Sequence, residues 1–80
     1  MKRWIEDLYV IYQKLEASEW REVKKEIVKA QLNGCSGGEI YFLVLQQLLK
    51  IKKEKASAYA LIQPEAENII RYGANQIYLN

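Results

Sequence analysis

The densest apolar block of the chain opens with turn residues and reads Ser36-Gly37-Gly38-Glu39-Ile40-Tyr41-Phe42-Leu43-Val44-Leu45-Gln46-Gln47-Leu48-Leu49-Lys50-Ile51. Ser36 and Glu39 have the Ser-x-x-Glu spacing of a capping box, in which each side chain accepts a hydrogen bond from the other residue's backbone N–H. The apolar residues that follow cover well over half of a helical wheel, and a helix that is apolar nearly all round is a buried one. We therefore predict a central helix over about 37–53, contacted by other helices on several sides.

Two amphipathic helices are predicted before this block, over residues 2–17 and 19–32. Apolar residues recur in both at steps of three and four, which is the mark of one apolar helical face. Ser18 stands where the N-cap of the second helix is expected, with acidic residues in the turn that follows it. Gly34 is expected to end that helix in the left-handed conformation that glycine adopts most readily.

The segment after the block predicts one or two further helices. Residues 56–63 predict a short helix, and Pro64 predicts the start of another over about 64–72, because proline disfavours helical dihedrals in the residue before it and fits a first helical turn. Gly73 is a candidate end for that helix, although the apolar spacing from Ile70 favours continuation beyond it. The sequence thus predicts an all-α fold, a compact bundle of four to five short helices, as a single domain over 1–80, since so short a chain has room for one core.

Composition removes several classes of function. The chain has no histidine and one cysteine, Cys35, which excludes classical zinc sites, Ser-His-Asp triads and Cys-His dyads. We therefore expect no enzymatic activity and no catalytic, cofactor-binding or metal-binding residues. The acidic pairs Glu6/Asp7 and Glu65/Glu67 are interpreted as solvated charges at helix starts, because neighbouring carboxylates on a helix diverge and need a shared cleft to act together.

The cellular setting follows from the same counts. A single cysteine allows no internal disulfide, and small secreted domains normally need several. No apolar run approaches the ~20 residues of a membrane span. We expect a cytoplasmic protein, and a composition rich in Ile, Lys, Glu and Tyr is compatible with an AT-rich bacterial or phage genome.

The loop over residues 33–38 has two functional interpretations and one structural interpretation. Cys35 before a helix start could be a reactive thiol, and the glycines could form an anion cradle. The chain offers no histidine partner for the thiol, and the loop lacks the lysine and the preceding strand of a phosphate-binding loop. We interpret the loop as a tight interhelical turn with Cys35 as a small apolar plug, and the reactivity of the thiol stays open.

Nucleic-acid binding is the alternative function. Phosphate recognition requires Lys or Arg clustered on one surface, and cationic residues occur at Arg21, Lys24, Lys25, Lys29 and between 50 and 55. Glutamates interleave both groups, and the net charge is only +2. In a helix-turn-helix arrangement the block over 37–51 would be the recognition helix, yet it offers Tyr, Phe, Leu and Val where base-reading Arg, Asn or Gln should project.

Nine aromatic residues are the strongest positive sign of function. A domain of this size cannot bury all of them, and Tyr and Trp are favoured where surfaces meet protein partners. The candidate partner-binding residues are Trp4, Tyr12, Trp20, Tyr41, Tyr59, Tyr72 and Tyr78. We expect a small non-catalytic protein–protein interaction module, an adaptor, inhibitor or immunity-type protein. Self-association is also expected, because the central helix has more apolar surface than three short neighbours cover.

The size, helical make-up and mildly basic charge are similar to those of the small helical immunity proteins that protect bacteria from their own peptide toxins. This resemblance lies in architecture and no diagnostic motif accompanies it, so it implies no residue roles.

Overall fold

The computed structural model describes the backbone of residues 3–79 and the side chains of residues 3–73. Four helices make up this part: α1 Trp4–Glu16, α2 Arg21–Asn33, α3 Gly37–Glu54 and α4 Ala56–Leu79. No strand occurs in the described backbone. Each helix packs against the next, and α4 returns to pack against α1, so the four helices close a ring around one core. The predicted all-α bundle is confirmed.

The core is built from the apolar faces that the three- and four-residue spacing indicates. Within it, fully or almost fully buried aliphatic residues come from every helix: Leu8, Ile11 and Leu15 from α1, Val23 and Ile27 from α2, Val44, Leu48 and Ile51 from α3, and Ala58, Ile62, Ala66 and Ile69 from α4. Burial of one such Leu or Ile side chain contributes about 1.5–3 kcal/mol. The four faces together therefore provide the main driving force for folding. None of the described helices has both the length and the apolar character needed to cross a bilayer.

The turn between α1 and α2 is organised by Ser18, but Ser18 does not cap α2. Its hydroxyl donates to the backbone carbonyl of Leu15 at 2.8 Å and accepts from the backbone N–H of Trp20 at 2.9 Å. Trp20 occupies the cap position and α2 begins at Arg21. The predicted N-cap is therefore wrong by two residues, because the serine hydroxyl closes the preceding turn instead.

The capping box at the start of α3 is present in a shifted form. The Ser36 hydroxyl accepts from the Glu39 backbone N–H at 3.2 Å, as predicted. The Glu39 carboxylate reaches one residue further back than predicted and accepts from the backbone N–H of Cys35 at 2.8 Å. The helix runs to Glu54, which agrees with its predicted extent.

The burial expected for α3, with other helices in contact on several sides, is only partial. Val44, Leu48 and Ile51 face the core, whereas Phe42 is 55 % exposed and Leu49 is 46 % exposed. The reason is that α3 packs mainly against α2 and α4 and occupies one side of the ring. One apolar face of α3 is thus left uncovered.

The predicted break at Pro64 is wrong, because α4 is one continuous helix with Pro64 inside it. The apolar face keeps its register across the proline, since Ile62 before it and Ala66 after it are both fully buried. Ala60, whose carbonyl would accept the hydrogen bond that proline cannot donate, is exposed, as is Pro64. Water can therefore replace the missing partner, and packing against α1 outweighs the local signal. The helix also continues past Gly73, as the apolar spacing favours.

Gly34 is not in the left-handed conformation predicted for it. Its backbone is extended, with φ −81° and ψ 144°. A Cβ at this position would lie 2.5 Å from Cγ1 of Ile40 and 2.8 Å from its backbone nitrogen. Glycine is therefore required here for the close approach of the loop to α3 and not for an unusual dihedral angle.

Candidate functional site: an aromatic groove beside an exposed face of α3

Tyr41 joins three helices at the site. Its ring meets Trp4 of α1 edge-on, with centroids 5.1 Å apart and planes at 84°. It also meets Tyr72 of α4, with centroids 5.4 Å apart and planes at 60°. Its hydroxyl donates to the backbone carbonyl of Ile69 in α4. Edge-on aromatic pairs contribute about 0.5–1.5 kcal/mol each beyond their burial, so the ring is held from two sides.

Gly73 provides the space that Tyr41 occupies. A Cβ on Gly73 would lie 2.9 Å from Cε2 and Cζ of the Tyr41 ring and closer still to its hydroxyl oxygen. Burial raises the pKa of Tyr41 above its ordinary value, and a hydrogen bond from the Gly73 backbone partly offsets that rise. Tyr41 therefore packs directly against the backbone of α4.

These residues line a groove of about 590 Å³, which we call the aromatic groove. It is formed by Trp4, Gly37, Gly38, Tyr41, Phe42, Leu45, Tyr72 and Gly73. A Cβ on Gly37 or Gly38 would meet nothing within 4 Å, so this wall is open. None of the described residues that line the groove carries a carboxylate, an amine or a thiol, so their chemistry suits an apolar side chain.

An apolar strip on α3, with two exposed residues and one half-buried residue, extends from the groove. Phe42 and Leu45 belong to both, and Leu49 continues the line one turn further along α3. The three residues are spaced three and four apart, which places them on one face of the helix. We call Phe42, Leu45 and Leu49 the apolar seam.

The seven aromatic residues predicted to bind a partner do not form one surface. Trp4, Tyr41 and Tyr72 come together in the aromatic groove. Trp20 packs partly buried against the core at the start of α2. The side chain of Tyr78 lies outside the described residues.

Tyr12 and Tyr59 have structural surroundings away from the groove. The Tyr12 hydroxyl donates to Oε1 of Gln31 in α2 at 2.7 Å, and burial, with the nearby Tyr9, raises its pKa above the ordinary value. Tyr59 is only 5 % exposed, and the Lys52 ammonium lies 5.6 Å from its ring centroid. Tyr59 therefore offers almost no surface to a partner.

Three of the four cationic residues of α2 are engaged by glutamates of the same chain. Glu16 binds Lys24 at 2.9 Å and Arg21 at 3.5 Å, and Glu22 binds Lys25 at 3.2 Å. The hydrogen bond and charge of Lys24 lower the pKa of Glu16. Neutralised pairs of this kind make a poor phosphate-binding surface.

Two acidic residues that were interpreted as solvated are not. Asp7 is 3 % exposed. Glu65 binds Lys14 of α1 at 2.8 Å in a partly buried ion pair, which links α1 to α4. Both carboxylates are therefore part of the packing between elements, and the described residues contain no group of side chains suited to holding a metal ion.

The seam was missed from the sequence because its residues were assigned to the core. The three-and-four spacing was visible, but the spacing does not say which helices cover it. The chain matches no known protein family, no characterised protein and no solved structure.

Proposed function

We propose that this chain is a small non-catalytic protein-binding module, of adaptor, inhibitor or immunity type, that binds partners through the aromatic groove and the apolar seam. The observation that carries this proposal is the continuity of the two surfaces through Phe42, which is 55 % exposed. Contiguous apolar patches on soluble proteins mark interaction sites. Aromatic residues in pockets are also the residues that dominate binding energy at protein interfaces.

The groove is preorganised for binding. The Tyr41 ring is fixed by Trp4, by Tyr72 and by its hydrogen bond to α4. A partner therefore does not have to order this side chain, a step that otherwise takes about 0.5–1.5 kcal/mol per side chain. An apolar anchor residue of a partner, entering beside Phe42, is the ligand that this geometry suits.

The proposed setting is the cytoplasm. Cys35 is a free and exposed thiol and not the apolar plug predicted from the sequence. A reducing compartment preserves such a thiol. Protein binding is favoured over nucleic-acid binding because three cations of α2 are already paired with glutamates. A nucleic-acid complex would show a mobility shift at low salt that collapses steeply as salt rises.

The proposal is tested by selecting helical peptides from a displayed library against the purified chain at nanomolar concentration. Selected peptides should carry apolar anchors and should lose at least tenfold in affinity against Phe42→Asp, while binding persists in moderate salt. Leu32→Asp is the matched control, because Leu32 is even more exposed, at 78 %, but lies on α2. Circular dichroism confirms that both variants fold. Peptides that bind Phe42→Asp as tightly as the parent chain would refute this assignment.

A further inference from the structure

The apolar seam has the pattern of a helix that pairs with its own copy. We infer that its partner is a second copy of this chain, with the two α3 helices packed antiparallel. This inference rests on the proposed function, since it assigns a partner to the same exposed surface.

The spacing of the exposed face follows a coiled-coil repeat. Gly38, Phe42, Leu45, Leu49 and Lys52 are separated by steps of four, three, four and three, the alternation of the a and d positions that meet across a helix pair. None of these five residues is buried. The buried face of α3, by contrast, belongs to Val44, Leu48 and Ile51. One helix thus carries one apolar face toward the core and a second, narrower one toward solvent.

The charges on α3 select the antiparallel orientation. Glu39 lies at the start of the helix and Lys53 near its end, both exposed. In a parallel pair the two copies of Glu39 lie at one end and the two copies of Lys53 at the other, so neither meets the opposite charge, whereas an antiparallel pair places Glu39 beside the partner's Lys53. Within the described residues Lys53 makes no ion pair. Only one oxygen of Glu39 is used, by Cys35, so the other can accept from the partner.

A two-fold axis near the middle of α3 also brings two of the three seam residues together across the pair. Leu45 then packs against the partner's Leu49, and the partner's Leu45 against Leu49. Gln46, which is exposed, lies next to the partner's Gln46, where two amide side chains can exchange hydrogen bonds. The same patch therefore serves both copies, as a two-fold interface requires.

The contact is small, so the dimer is expected to be weak. Stable specific interfaces bury about 1,200–2,000 Å² in total, and weak, transient ones bury less. One face of one helix per protomer belongs with the smaller interfaces. We expect half-dimerisation at a protein concentration on the order of 100 µM. At nanomolar concentration the chain is then monomeric and the seam is free for the peptide selection described above.

Sedimentation equilibrium of the full chain between 5 and 500 µM tests the dimer. The parent chain should fit a reversible monomer–dimer equilibrium, and Leu49→Gln should weaken it on the order of tenfold, the effect of removing two apolar contacts per dimer. Leu32→Gln is the control and should leave it unchanged. A chain that stays monomeric to 500 µM, or a dimer that Leu49→Gln does not weaken, overturns the inference. Either result leaves peptide binding by the monomer as a separate outcome.

Orientation is tested by charge exchange between two variants. Lys53→Glu and Glu39→Lys should each dimerise several-fold less than the parent, because each homodimer brings like charges together. Mixed in equal amounts they should form a heterodimer, since both inter-chain pairs are then of opposite sign. Failure of the mixture to form more dimer than either variant alone contradicts the antiparallel arrangement.

Cysteine cross-linking provides an independent measurement of the register in a Cys35→Ser background. Gln46→Cys should form a disulfide-linked dimer under mild oxidation, because the two copies of residue 46 face each other near the axis. Gly38→Cys tolerates the larger side chain, since a Cβ there meets nothing within 4 Å, and it should not cross-link. Rapid cross-linking of Gly38→Cys but not Gln46→Cys would identify a parallel pair and overturn the inference.

Discussion

Replacement of Gly73 by alanine should destabilise this protein, although the same change stabilises most helices. In an ordinary helix interior, Gly→Ala gains about 1 kcal/mol because the flexible glycine loses more entropy on folding. At this position the new Cβ would lie 2.9 Å from Cε2 and Cζ of Tyr41 and closer to its hydroxyl. Tyr41 cannot turn aside freely, because Trp4 and Tyr72 hold its ring.

The expected loss in the free energy of unfolding follows from the contacts that Tyr41 would lose. Overpacking of a filled site costs about 1–3 kcal/mol, and loss of the hydrogen bond from Tyr41 to Ile69 removes about 0.5–1.5 kcal/mol. Against the gain of about 1 kcal/mol from helix propensity, Gly73→Ala should lower the free energy of unfolding by about 1–3 kcal/mol. For a domain of this size each kcal/mol lowers Tm by about 4–8 °C.

A double-mutant cycle with Tyr41→Leu isolates the contact. Leucine lacks the ring carbons and hydroxyl that meet the new methyl group, so Gly73→Ala in that background should stabilise by up to about 1 kcal/mol. Urea denaturation followed by circular dichroism measures all four corners of the cycle. If Gly73→Ala stabilises the parent chain, or destabilises both backgrounds equally, the packing of Tyr41 on Gly73 does not govern this site.

Four further outcomes are expected from other sites. Pro64→Ala should raise the free energy of unfolding by about 1–3 kcal/mol in urea titrations, since it restores a backbone hydrogen bond inside α4. Destabilisation would show instead that the proline is needed for the packing of α4 on α1. Tyr59→Phe should be neutral or stabilising by up to about 2 kcal/mol, because the buried Tyr59 hydroxyl has no hydrogen-bond partner within the described residues. A clear loss in Tm of the variant would contradict this prediction. Gly34→Ala should destabilise by more than about 1 kcal/mol, because the methyl group meets the backbone of Ile40; thermal unfolding at unchanged Tm would refute the close approach. The contribution of Tyr12 to stability should be constant below pH 10 and should be lost as pH rises above it, because the pKa of Tyr12 is raised in the folded state and the unfolded chain ionises first. Tyr12→Phe should reduce this alkaline loss in urea titrations at pH 9 and 11.

Local signals were sufficient for the start and end of α3. Ser36 and Glu39 lie in one turn and make their capping contacts within it, so no distant part of the chain is needed to predict them. The core faces were predictable for a similar reason, since the three-and-four spacing of Leu8, Ile11 and Leu15 describes a face directly.

The features that could not be predicted depend on contacts between elements distant in sequence. Pro64 is a strong local signal for a helix boundary, but burial of the face around Ile62 and Ala66 against α1 overrides it. Gly34 was assigned an unusual dihedral angle, and its true constraint is the proximity of Ile40. A spacing pattern contains no information about which backbone will lie against a given glycine.

The candidate site was likewise predictable only where local sequence determines it. The aromatic residues were recognisable as a group, yet Trp4, Tyr41 and Tyr72 come from three different helices and only the fold brings them together. The exposure of Phe42 depends on which face of α3 packs against α2 and α4. Composition therefore predicted the kind of site, and packing determined its location.

The closure of the ring by α1 and α4 has a consequence for synthesis of the chain. The buried face of α1, with Leu8, Ile11 and Leu15, is covered to a large extent by α4, whose core residues extend to Ile69. At about 5–20 residues per second, translation separates the completion of α1 from the arrival of Ile69 by roughly 3–10 s. During that interval an amphipathic helix has been made but its partner has not. The nascent chain is thus a substrate for chaperones until α4 emerges, and a ribosome that stalls within α4 leaves the apolar face of α1 uncovered.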